Sequence, residues 1–214
     1  KLVQSDAGEK RNCIHNRCFS APAIDAEDNT GSGSPNGGIT TPGSSPAGGA
    51  AMRYNPDQET PEILYDLDKL PEPARRMRSL IMEACRSGDI EKLRALIGSG
   101  AGATQLSFGE LNGDPIDFLL QVSGDSQGHE ILAILLEVLE AGFVHLDAGT
   151  EREVYVWPYF FAVPLEELTA QQRVELFKLV TAGDYEGMKT FGAYIFYRAA
   201  ITPDGRWMYF VAGD

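Results

Sequence analysis

Cysteine, histidine and tryptophan are scarce: three, three and two in 214 residues. So few thiols and imidazoles leave little material for a metal centre or a disulfide scaffold. We expect no cofactor. Basic side chains are scarce as well. Eighteen Lys and Arg face 31 Asp and Glu, for a net charge of -13. That balance argues against binding nucleic acid or an anionic membrane through bulk electrostatics. No apolar run approaches the roughly 18 residues that a membrane helix needs, so no integral membrane segment is expected. The one glycine-rich loop beside a helix, Gly98-Ser99-Gly100-Ala101-Gly102, lacks the Lys and Ser/Thr of a phosphate-binding loop. What the chain does have is a 43% hydrophobic content, enough for a real core.

The text changes near residue 60. Of the 20 residues from Gly31 to Ala50, 14 are Gly, Ser or Pro. Such a stretch cannot bury enough apolar surface to offset the entropy of ordering. Residues 1–60 therefore read as a disordered tail and linker. Residues 61–214 read as one folded domain. They hold 13 Lys and Arg against 24 Asp and Glu, so nearly all the negative charge sits there. The sequence opens on Lys1 and carries a long polar lead into its domain. Leads of this kind space exported bacterial domains from an envelope layer. A periplasmic or secreted protein is the expectation, with a cytoplasmic one as the alternative. Within the lead, Cys13 and Cys18 stand five positions apart, close enough to close a small disulfide loop in an oxidising compartment.

From Pro73 to Cys85 the period is helical, with Leu80, Ile81, Ala84 and Cys85 on one face. Ser87-Gly88-Asp89 breaks it, and Ile90 to Ile97 starts a second short helix. Asp114-Pro115 opens another, Asp114 as N-cap and Pro115 at the first position. Glu130 to Glu140 is strongly apolar, and a looser copy runs from Gln171 to Gly192. There Val174, Phe177, Leu179 and Val180 precede an Ala182-Gly183-Asp184 turn, and Thr169 could cap a helix of Ala170 to Thr181. Strands are expected at Glu153 to Trp157, stopped by Pro158, and in a terminal hairpin. The hairpin arms are Tyr194 to Ile201 and Arg206 to Val211, joined by Thr202-Pro203-Asp204-Gly205.

The helix pairs resemble ankyrin repeats. Ala84 to Ile97 is similar to the inner helix, Gly-Asp turn and outer helix of one repeat. Asp114-Pro115-Ile116-Asp117 stands where that family has Thr-Pro-Leu-His. Gly128-His129-Glu130-Ile131 and Leu135 to Gly142 resemble its Gly-His turn and Leu-Leu-Glu-Ala-Gly close. The resemblance covers residues 77–142. It implies stacked antiparallel helix pairs and a role in protein–protein recognition, with no catalytic residues to carry over. The fold class expected is thus α+β, with ankyrin-like helix pairs packed on a short antiparallel sheet.

No acidic pair is diagnostic of acid–base catalysis; Glu151, Glu153, Glu166 and Glu167 are scattered. Cys85 sits on an apolar helix face and reads as an inert thiol. His129 reads as a turn residue and His145 as a surface or edge position. The aromatic segment Tyr155 to Phe161 is the richest candidate. Strand alternation places Tyr155, Trp157 and Tyr159 on one face, and Trp207 and Tyr209 alternate likewise on the last strand. These five form the candidate binding surface, since Trp and Tyr dominate such sites. Two functions compete. One is a non-enzymatic interaction domain whose acidic surface meets an unidentified protein with a basic one. The other is a small-molecule-binding or catalytic α+β domain with an aromatic-lined pocket. The text at Asp204-Gly205-Arg206-Trp207 is similar to the last strand of cystatin-like folds, which favours that second possibility.

Overall fold

The computed structural model describes residues 59–213 apart from 110 and 112, together with the backbone of residues 12–14 and 17–19. The chain divides into two units, Lys1–Gly48 and Gly49–Asp214. In the first, β1 (Asn12–Ile14) pairs antiparallel with β2 (Arg17–Phe19) in a register that sets Cys13 opposite Cys18. The expected thiol pairing and the expected disordered tail otherwise lie outside the described residues.

The second unit is α+β. It begins at β3 (Ile63–Leu64) and continues through α1 (Glu72–Arg86). A 3-10 turn at Ile90–Leu93 leads into α2 (Arg94–Ile97). Then come α3 (Pro115–Val122) and α4 (His129–Glu140). The hairpin of β4 (Phe143–Leu146) and β5 (Val154–Trp157) follows. After two 3-10 turns come α5 (Ala170–Leu179) and α6 (Ala182–Phe191). The second hairpin, β6 (Arg198–Ile201) and β7 (Trp207–Val211), ends the unit. The five strands form one antiparallel sheet in chain order, β3-β4-β5-β6-β7.

Local chemistry sets the helix boundaries. Asp114 accepts from the backbone N–H of Ile116 at 2.8 Å and of Asp117 at 3.3 Å, as its sequence position led us to expect. Asp125 caps α4 by accepting from the N–H groups of His129 and Glu130 at 3.1 and 2.9 Å. This explains the long Ser123–His129 loop: its job is to bring a carboxylate under the helix. Thr169 and Gln172 form a capping box on α5. Thr181 and Asp184 form a second one, so the expected Ala182-Gly183-Asp184 turn is instead the first turn of α6.

The core lies between α1, α4 and the sheet. α4 buries Ile131, Leu132, Leu135, Val138 and Leu139, and α1 buries Ala74, Ile81, Met82, Ala84 and Cys85. Each large aliphatic side chain buried in full contributes about 1.5–3 kcal/mol. α1 and α4 pack against each other and both touch β6. Both faces of β5 and β6 are buried along their whole length. The terminal hairpin starts later than its composition suggests, at Arg198 and not Tyr194. The residues before it fold back: the Tyr194 hydroxyl donates to Tyr197 O at 3.2 Å, and Ile195 N–H approaches Met188 Sδ at 3.5 Å. At the hairpin turn, Gly205 has φ +87, and a Cβ there would lie 2.7 Å from Pro73 O. Glycine thus lets the turn sit against the start of α1. The outer edge of β7 is covered by Gln105, whose N–H donates to Met208 O at 3.0 Å and whose carbonyl accepts from Phe210 N–H at 2.8 Å.

Candidate functional site

The aromatic residues singled out from the sequence are core. Tyr155, Trp157, Tyr159 and Trp207 are buried and Tyr209 is partly so. Strand alternation holds for Tyr155 and Trp157 and then fails. Pro158 ends β5, and Tyr159 falls on a 3-10 turn. Tyr155 stacks on the His145 ring at 4.3 Å, Trp157 lies 5.0 Å from Phe143, and Tyr159 lies 4.2 Å from Phe160. Trp207 spends its indole N–H on Tyr209 O at 3.1 Å. A strand in the middle of a sheet covered on both faces has no solvent side. The five rings therefore do not make the open partner surface expected of them.

The remaining sequence candidates are structural as well. His145 stands on β4 just past the two residues, Phe143 and Val144, that pair with β3, so it lies at an edge position as expected, with its ring partly covered. Its Nε2 lies 2.8 Å from Glu153 Oε1, and Glu153 Oε2 accepts from Gly149 N–H at 2.9 Å. Those two bonds, the Gly149 N–H first, hold the Glu153 carboxyl below the usual carboxylate range. The arrangement ties the β4–β5 turn closed. His129 is exposed at the start of α4 and its N–H serves the Asp125 cap. Burial pushes the Cys85 thiol up to about 12, so it is no nucleophile at neutral pH.

A network that the sequence did not announce centres on Glu175 of α5. Its Oε2 accepts from the Tyr65 hydroxyl at 2.9 Å and the Tyr159 hydroxyl at 3.0 Å. Its Oε1 accepts from Gly142 N–H at 2.8 Å. A Cβ on Gly142 would come within 2.8 Å of the Tyr65 ring and 2.9 Å of the Tyr159 ring. Burial above all, then Tyr65 and the Glu175 carboxylate, raise the Tyr159 hydroxyl far above its ordinary value. With three donors on one carboxylate, Glu175 acts as a bracket joining α5 to the start of the sheet.

Two features remain on the surface. The first is apolar. Val174 is 68% exposed and Phe177 44% exposed, one turn apart on the outward side of α5. The buried stripe is Leu176 and Leu179, roughly opposite on the helical wheel. The Phe177 ring meets Tyr185 of α6 edge-on at 5.7 Å, and Lys189 Nζ sits 4.8 Å above the same tyrosine. Phe191, at the end of α6, is 46% exposed. The signal was present: a helix apolar on two opposite sides has more apolar surface than one core can take.

The second feature is a cleft between α1, α4 and α5, of about 530 Å³. Arg78, Ser79, Met82, Glu83 and Arg86 line one side, and Glu140 and Lys178 the other. Arg78 Nε and Nη2 both donate to Leu139 O, at 3.0 and 2.7 Å, which caps the C-terminus of α4. Arg86 Nη2 lies 2.9 Å from Glu140 Oε1, and Lys178 Nζ 3.2 Å from Glu137 Oε2.

Among the described residues, no group of three or more His, Cys, Asp or Glu could hold a metal ion, and no helix is long and apolar enough to cross a membrane. No family model matches the chain, and no curated protein or solved structure matches it either.

Proposed function

We propose that residues 61–214 form a non-enzymatic protein-interaction domain of an exported bacterial protein, and that α5 carries its contact surface. One observation carries this reading. Val174 and Phe177 stand in solvent one helical turn apart while the helix already has a full buried stripe. Exposed apolar side chains scattered singly need no explanation, but a valine and a phenylalanine paired on one turn form an anchor of the kind that docking partners use. The similarity of residues 77–142 to ankyrin repeats points to the same class of function.

The partner has an apolar recess for the Val174–Phe177 ridge and a basic rim around it. The strongly acidic balance of residues 61–214 steers such a partner into place. Binding accordingly weakens as salt rises, because the steering charges are exposed. The test is a quantitative capture with the full chain as bait, run beside a Val174→Ser, Phe177→Ser double variant that folds equally well. A partner held by the parent and lost by the double variant supports the proposal. Equal capture by both baits removes α5 from it.

A further inference from the structure

The cleft between α1, α4 and α5 is built differently from the rest of this acidic surface. Three of the 13 Lys and Arg found beyond residue 60 meet there: Arg78, Arg86 and Lys178. Arg78 commits two of its three nitrogens to a single carbonyl, Leu139 O. Its third, Nη1, has no acceptor among the described residues. Arg86 and Lys178 are each about half exposed, and each is held by one ion-pair contact to a glutamate of α4. The Arg86–Glu140 pair is of the exposed kind that is weak and readily exchanges partners, whereas Lys178 faces the buried Glu137 Oε2. Met82 gives the cleft a buried apolar wall.

We propose that this cleft binds a carboxylate, presented by a free amino acid or by the C-terminus of a peptide. Arg78 is anchored by the carbonyl at its back. It keeps Nη1 for an oxygen of the ligand, and Arg86 turns from Glu140 to the second oxygen. Guanidinium groups suit this task because their planar donors match a planar carboxylate. The charge count selects a monoanion. Arg78, Arg86 and Lys178 stand against Glu83, Glu140 and the Glu137 that holds Lys178, so the site has no surplus positive charge for a phosphate dianion and takes a single negative charge only as Arg86 leaves Glu140. Glu83 and Glu140 are then placed to receive the ammonium group of a free amino acid. The volume, about 530 Å³, is in the range of small-ligand sites and holds a residue or two. This inference uses none of the exposed apolar residues of α5 and stands apart from the docking proposal.

The experiment is an NMR titration of the full chain, following backbone amides and the Arg side-chain Nε–H signals. The probes are N-acetyl-alanyl-alanine, its C-terminal amide, free alanine and inorganic phosphate, at constant ionic strength. The carboxylate dipeptide is expected to shift residues 78–86 and Lys178 saturably, and the amide is not. Arg86→Gln and Lys178→Gln, both at exposed positions, are each expected to weaken binding at least threefold while the chain stays folded. Arg78→Leu is expected to abolish it, but that variant also uncaps α4, so the two exposed variants decide. Tighter binding of free alanine than of the acetylated dipeptide identifies an amino-acid site, and the reverse order a peptide terminus. The proposal is overturned by a flat titration, by an equal response to the amide, by phosphate outcompeting the carboxylates, or by unchanged affinity in both exposed variants.

Discussion

α4 and α5 are neighbours of similar length, twelve and ten residues, and both are rich in leucine and valine. α4 buries five of its seven large apolar side chains between α1 and the sheet and half-buries the other two, Ile134 and Leu136. α5 buries Leu176 and Leu179 and leaves Val174 and Phe177 in water. The difference is one of position in the fold. α4 is wedged between another helix and a sheet, so nearly its whole circumference meets protein. α5 buries one side only, and on its second apolar stripe the Phe177 ring meets Tyr185 of α6 by an edge while Val174 stands in solvent. Apolar residues on α4 are therefore read as stability, and the outward ones on α5 as contact surface.

The largest expected effect comes from hollowing α4. Leu135→Ala should lower the unfolding free energy by about 2–5 kcal/mol, as buried leucine truncations do. Phe177→Ser removes more atoms yet should cost under about 1 kcal/mol by the same denaturant titration, since the ring is half in solvent. If Phe177→Ser cost as much as Leu135→Ala, the contrast between the two helices would collapse. Next comes the bracket that fixes α5 to the sheet. Glu175→Ala leaves the Tyr159 hydroxyl and Gly142 N–H without their acceptor and should cost about 1–3 kcal/mol. Hydrogen exchange should then show α5 opening ahead of α4. A smaller effect, about 1 kcal/mol, is expected for Thr181→Ala, which removes the cap of α6. The loss should appear as faster exchange confined to the first turn of that helix.

The smallest effect is set by pH. The folded state lowers the Glu153 carboxyl, so its contribution is fully present above the ordinary glutamate range. It is lost as pH falls through the lowered value. Glu153→Gln should flatten the acid side of the stability profile slightly and leave the neutral region alone. An unchanged acid limb in that variant would detach the β4–β5 turn from this account.

Much of the scaffold was legible in the sequence because local rules decided it. Asp114-Pro115 marks the start of α3, the apolar run from Glu130 marks α4, and the Pro203–Gly205 turn marks the last hairpin. Thr181 and Asp184 were misread since a capping box and a Gly-Asp turn share letters; only the helix that follows separates them. The aromatic set was misplaced for a different reason. Alternation along residues 155–159 identifies two faces, but nothing local says that helices and turns cover both. Glu175 was invisible because its three donors come from residues 65, 142 and 159, brought together only by the fold. The cleft left one faint trace, an arginine cluster at 75–78 in an otherwise acidic domain. Arg75 turns away to Asp68 and Glu72, and Arg78 alone reaches the cleft.

The central claim is that the outward stripe of α5 is an occupied interface. Replacing Phe177 with the photo-reactive benzoyl-phenylalanine tests it in the native cell, with the same residue at exposed Lys92 as the control. The account predicts a discrete crosslinked protein from position 177 that is absent from position 92 and fades as salt is raised after lysis. Identical adducts from both positions, or none from 177, would contradict it.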